Sequence, residues 1–121
     1  NYQETVAIAR KEYDNNARPA IQNKIENIDE YDTIFIGGPV WHGTMPMIIR
    51  TFYESCNLTG KTLVPFATHA GSGLGDCERL ARSYYPDNTI LSGLAVQGTN
   101  SANARSDVEA WLKRIGIINN E

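Results

Sequence analysis

Apolar positions along this chain switch repeatedly between a helical period and short unbroken runs. From Glu4 to Tyr13, residues Val6, Ala9, Arg10 and Tyr13 fall on one face at helical spacing. Pro19 and several asparagines then break the period, so Asn15 to Asp29 is expected to hold only short helical turns. Thr33-Ile34-Phe35-Ile36 is a continuous apolar run closed by Gly37 and Gly38, the pattern of a strand buried on both faces. Pro46 has a fixed φ that suits a first helical turn, and Ile48, Ile49, Phe52, Tyr53 and Cys56 mark the inner face of the helix it opens. Thr62 to Thr68 reads as a second strand, although Pro65 removes a ladder donor and predicts a bulge or a one-sided loss of pairing. After the turn Gly71-Ser72-Gly73-Leu74-Gly75, a helix carries Cys77, Leu80, Ala81 and Tyr84. Thr89 to Val96 reads as a third strand interrupted at Gly93. Ala104, Val108, Trp111, Leu112 and Ile115 define the last helix, with Gly116 at its C-cap.

Helices and strands therefore alternate, which argues for an α/β domain with a parallel sheet and helices on both faces. In such folds ligands bind beyond the carboxyl ends of the strands, where strand order reverses. The segments to inspect are Gly38 to Pro46, Thr68 to Gly75 and Gln97 to Ala102. No repeat, low-complexity tract or linker divides the 121 residues, so residues 1–121 read as one domain.

Composition narrows the function. Hydrophobic residues make up 41% and charged residues 21%, as in an ordinary globular chain. A formal charge of −3 gives no basic footprint for nucleic acid. No apolar run approaches the roughly 20 residues of a membrane span, and the first ten residues lack the pattern of a signal peptide. Cys56 and Cys77 sit within apolar patterns without metal-ligand spacing, so they read as buried reduced thiols and a cytoplasmic setting follows.

Candidate chemistry lies in two of the loops. In Pro39-Val40-Trp41-His42-Gly43-Thr44, the indole of Trp41 is a flat surface on which a planar ring can stack, and the indole equally suits a cap over the sheet end. In Thr68-His69-Ala70-Gly71-Ser72-Gly73, alternating glycines before a helix leave backbone N–H groups to face a ligand. No Walker lysine or dinucleotide fingerprint accompanies these glycines, which disfavours a nucleotide hydrolase. His42 and His69 lack a third metal ligand in either loop, and Ser72 lies outside a Gly-x-Ser-x-Gly elbow. Either histidine has the chemistry of a proton donor near a reduced cofactor, and equally of a solvent-edge hydrogen bond.

The stretches Tyr31 to Thr44, Lys61 to Phe66 and Thr68 to Gly75 together resemble the flavodoxin-like family, in particular a bacterial branch of short chains with a tryptophan in the central loop. The resemblance covers nearly the whole chain. It implies a flavodoxin-like three-layer αβα fold around a parallel sheet, with noncovalently bound FMN. By resemblance, Pro39, Val40, Trp41, His42, Gly43 and Thr44 would wrap one side of the isoalloxazine. Thr68, His69, Ala70, Gly71, Ser72 and Gly73 would meet its polar edge. The family pattern also implies a strand, a phosphate cradle, a helix and a second strand ahead of Asn1, so the expectation is an N-terminally truncated domain with Thr33 to Gly38 as an open apolar edge. Each charge-assisted bond to phosphate that the cradle would supply is worth about 1.5–3 kcal/mol. The implied activity is electron transfer or flavin-dependent reduction, with a redox partner protein or a small-molecule electron acceptor. The rival is a non-catalytic module without FMN that forms a homodimer through the open edge. A third reading, a quinone or nitro-compound reductase fed by nicotinamide, has no nicotinamide site in the sequence.

Overall fold

Two strands paired in parallel along their whole length carry the fold. In the computed structural model, which describes residues 2–119, β1 (Thr33–Pro39) runs beside β2 (Thr62–His69), with Thr33 opposite Thr62 and Pro39 opposite Thr68. The other elements are α1 (Tyr2–Asp14), α2 (Met47–Ser55), α3 (Cys77–Tyr84), β3 (Thr89–Ile90), β4 (Leu94–Gln97) and α4 (Arg105–Arg114). Single 3-10 segments occur at Ile28–Glu30 and Gly98–Asn103. Both β3 and β4 pair with β2, on the side away from β1, and every strand pairing is parallel.

Strand pleating sorts the side chains into two layers. Ile36, Leu63 and Ala67 join Tyr53, Cys77, Leu80 and Ala81 in the main core, under α2 and α3. Phe35 and Phe66 point to the opposite face and meet Trp111 of α4, with ring centroids 5.9 and 6.3 Å away. The result is a three-layer α/β arrangement. The Phe66 ring lies across Gly37, where an added Cβ would fall 2.1 Å from it. On this second face Phe35 and Phe66 remain about 40% exposed (42% and 39%).

Pro65 explains the break in the third strand. Its neighbour Leu63 accepts a bond from the Leu91 N–H at 3.0 Å, so Leu63 faces the third strand. Pro65, two residues on, faces the same side without a donor. Residue offsets shift by one across this point: Leu63 pairs with Ile90, but Phe66 pairs with Leu94. This is the bulge expected from the sequence. Side chains take up the freed backbone groups. The Trp111 indole donates to the Ser92 carbonyl at 2.8 Å, and Glu78 accepts the Gly93 N–H at 3.2 Å.

Helix ends follow their sequences. Gly116, at φ 83°, closes α4 with bonds from Gly116 N–H to Lys113 O and from Ile117 N–H to Leu112 O, a Schellman motif. Asn16 plays the same part after α1, at φ 50°. Several face assignments need correction. Among the α1 residues whose side chains are described, Ala9 alone is buried, while Arg10 and Tyr13 are exposed. Pro46 is the residue before α2 rather than its first turn, Ile48 is exposed, and Met47 is buried in its place. Arg18 clamps the connection after α1 onto α2 through two bonds to the Glu54 carboxylate at 2.9 and 3.0 Å. Those bonds hold the carboxyl below its ordinary pKa.

The packing is testable at two points. An alanine at Gly93 would place its Cβ 2.8 Å from the Pro65 carbonyl, so Gly93→Ala should lower urea-unfolding stability by about 1–3 kcal/mol. Wild-type stability in the variant would remove the close approach from the account. Both cysteines are free. Burial pushes the Cys77 thiol up to about 11, with a further rise from Asp76, and burial also raises the Tyr53 phenol. The unfolded thiol ionises near about 8.5, so the unfolded chain loses protons first. The Cys77 contribution to stability should therefore be flat below that pH and fall as pH rises towards about 11. Denaturant titrations across the alkaline range will check the sign.

Candidate functional site

Beyond the carboxyl ends of β1, β2 and β4 lies a cleft of about 500 Å³, within the roughly 300–1,000 Å³ of small-molecule sites. Its walls are Pro39 at the end of β1, Val40, Trp41 and His42 from the loop that follows, Thr68, His69 and Ala70 from the end of β2, Gly98 after β4, and Thr5, Val6 and Ala9 of α1. The two strand-end loops are tied together. Val40 N–H donates to Thr68 O at 2.8 Å, and Asp76 N–H donates to Gly43 O at 3.0 Å. Gly75 lies so close that a Cβ there would sit 2.3 Å from the Gly43 oxygen.

Trp41 is held by a two-residue hairpin. Trp41 N–H donates to Thr44 O at 2.8 Å and Thr44 N–H donates back to Trp41 O at 3.2 Å. Between them His42 and Gly43 take φ values of 56° and 79°, as a type I′ turn requires. Histidine is among the side chains that enter this region more readily than most. The Tyr13 ring of α1 sits 6.4 Å from the His42 ring, centre to centre. Thr44 is buried beneath the turn, and its Oγ1 accepts from Arg50 at 3.5 Å. Trp41 itself remains 38% exposed. Among the described residues lining the cleft there is no Asp, Glu, Lys or Arg.

The flavodoxin sequence pattern matches residues 5–115. The chain belongs to the flavodoxin family. A candidate flavoprotein from Bacteroides eggerthii DSM 20697 matches at TM-score 0.74 and 36% identity, covering 98% of this chain and 70% of its own. Another from Bacteroides uniformis ATCC 8492 matches at 0.72 and 33%, covering 84% of this chain and 66% of its own. A flavoprotein crystallised with FMN, from Lactobacillus acidophilus NCFM, shares the fold at 0.64 and 24%, covering 92% of this chain and 70% of its own. No functionally curated protein matches the chain.

Within this flavodoxin domain the candidate residues divide. Pro39, Val40, Trp41, His42, Thr68, His69 and Ala70 line the cleft together. Gly43 and Thr44 build the hairpin behind it. Gly71, Ser72 and Gly73 lie outside the lining residues. Of the amides in the glycine turn, that of Gly71 is taken by the protein itself, donating to His69 Nδ1 at 2.9 Å. Just beyond the turn, Asp76 N–H donates to Gly43 O and Cys77 N–H to Leu74 O at 3.2 Å. Among the described residues no group of three or more His, Cys, Asp or Glu is placed to hold a metal, and no helix is long and apolar enough to cross a membrane.

The cleft also contains residues that loop motifs did not reveal. Thr5, Val6 and Ala9 form its far wall. Val6 and Ala9 were visible only as part of the inner stripe of α1, which reads as core, and Thr5 carried no signal. Gly98 falls within a loop singled out from the strand order alone. Because Gly75 lets two loops touch, Gly75→Ala should force them apart and lower stability by about 1–3 kcal/mol. Thermal and urea melts will measure this, and an unchanged melt would show that the contact carries no strain.

Proposed function

We propose that this flavodoxin-family chain binds FMN with its flat ring in the cleft, and acts as an electron carrier or a flavin-dependent reductase. The observation that supports the reading is Trp41. It is a partly exposed indole at the mouth of an apolar cleft, held there by a strained two-residue turn and by loop-to-loop hydrogen bonds. The lining residues fit an uncharged planar ring: Pro39, Val40, Val6 and Ala9 supply apolar contact, while Thr68 and His69 supply polar groups. The crystallised FMN complex of the Lactobacillus relative supports the same choice of ligand.

Bound FMN supplies the one- and two-electron chemistry. The protein's own residues position and shield it. Trp41 covers a ring face and keeps water from it, the α1 wall closes the far side, and the strand-end backbone fixes the polar edge. The electron acceptor is then a partner protein or a small molecule reaching the open mouth. Two unpaired thiols suit a cytoplasmic setting.

A second reading, a colourless module that dimerises through β1, draws on the position of that strand. Among the described residues β1 pairs only with β2 and lies at the sheet edge, beside the half-exposed Phe35. FMN titration with sedimentation velocity separates the two. Quenched FMN fluorescence on a monomer supports the flavoprotein, whereas a dimer without quenching supports the module. Trp41→Ala should weaken FMN binding by about 1 kcal/mol or more, since stacking alone contributes ~0.5–1.5 kcal/mol. It should also shift the visible flavin spectrum. An unchanged titration in that variant would remove Trp41 from the site.

A further inference from the structure

Resting on the FMN reading, we infer that His69 is a positioning residue whose Nε2–H, fixed by a tautomer lock, donates a hydrogen bond to an acceptor on the edge of the bound ring. The lock is the bond from Gly71 N–H to His69 Nδ1 at 2.9 Å. A neutral imidazole has one donor and one acceptor nitrogen, and the bond made by one sets the role of the other. With Nδ1 accepting, the proton sits on Nε2. Among the described residues Nε2–H has no acceptor, while His69 lines the cleft.

The backbone beneath it is held by strand pairing. His69 is the last residue of β2 and pairs with Gln97 of β4. Gly98 follows in ordinary van der Waals range, a Cβ there lying 3.6 Å from the His69 oxygen. A donor held this way favours a ring carbonyl or unprotonated ring nitrogen, and rejects a ring that presents N–H at the same place. A group built on a strand end with its rotamer tied is suited to such discrimination.

Two conservative variants separate holding the loop from reaching the ligand. In His69→Asn the introduced amide oxygen stands as many bonds from Cβ as Nδ1 does. It can accept from Gly71 N–H but cannot reach as Nε2 does. In His69→Gln the amide nitrogen reaches as far as Nε2 and donates. FMN affinity, read by fluorescence quenching, should fall roughly 3- to 10-fold in His69→Asn, the worth of one hydrogen bond. His69→Gln should stay closer to wild type. Nitrogen-15 NMR of the ligand-free protein should show Nδ1 unprotonated and Nε2 protonated. The reverse order of affinities, or a proton on Nδ1, would make His69 a brace for the turn and overturn the inference while leaving the FMN reading intact. Wild-type protein that fails to quench FMN would instead overturn the reading and the inference together.

Discussion

A proline in the middle of the central strand is the constraint from which much of this architecture follows. Pro65 is fully buried in β2 and has no N–H to offer the third strand. A buried backbone carbonyl or amide left without a partner costs about 1–3 kcal/mol, so the chain cannot simply run past it. It inserts one residue instead, and the groups released by that bulge go to Trp111 and Glu78. The bulge also moves β4 on by one residue. Since a slip of one residue reverses every side chain, this sets Leu94 and Val96 on the Phe66 face and Ala95 on the Ala67 face. The register ends with Gln97 opposite His69 and Gly98 beside the cleft.

The cleft is therefore a product of strand ends rather than of one motif. The loop after β1 leaves Pro39 and is pinned to Thr68 within two residues. It then turns back at His42-Gly43 and is pinned again, by the amide that precedes α3. Turn, tether and close glycine contact all act on the same short segment, so Trp41 has little freedom to leave the cleft. A left-handed conformation at His42 is a local cost of order 1–3 kcal/mol, offset by the surrounding bonds. Rigidity of this kind matters more for a stacking surface than for a core residue, because less ordering entropy is lost on binding when the surface is already in place.

How far this could be seen in the sequence depends on the type of signal. The strands were legible because continuous apolar runs such as Thr33 to Ile36 have few other uses, and Pro65 announced its bulge by the missing donor. Gly116 announced a helix end for the same kind of reason. The hairpin at His42-Gly43 was not legible as a type I′ turn, since Asn-Gly or Asp-Gly is the usual sign and histidine there reads as chemistry. The role of α1 was hidden because Val6 and Ala9 look identical whether a stripe meets core or ligand; only the tertiary position distinguishes them. The glycine turn was legible only in part. Spacing showed where amides are plentiful, but not that the His69 side chain would take that of Gly71.

The absence of Asp, Glu, Lys and Arg among the described residues of the cleft lining has an electrostatic consequence. Charge placed on a ring among Trp41, Val40, Val6 and Ala9 is poorly solvated, and low polarity penalises it whatever its sign. With no lysine or arginine among the described lining residues, that penalty would fall on any form of a bound flavin that gains an electron without a proton, and these walls would push its reduction potential down. A backbone amide or imidazole N–H aimed at the ring edge acts the other way, since a fixed donor stabilises developing negative charge without reorganising. The amide of Gly71, outside the cleft lining, donates to His69 Nδ1, so on the proposed reading the imidazole N–H would be such a donor. Were a flavin bound as proposed, its potential would be set by a contest between this apolar surround and the donors facing the ring, and single side chains at the strand ends would have leverage over it.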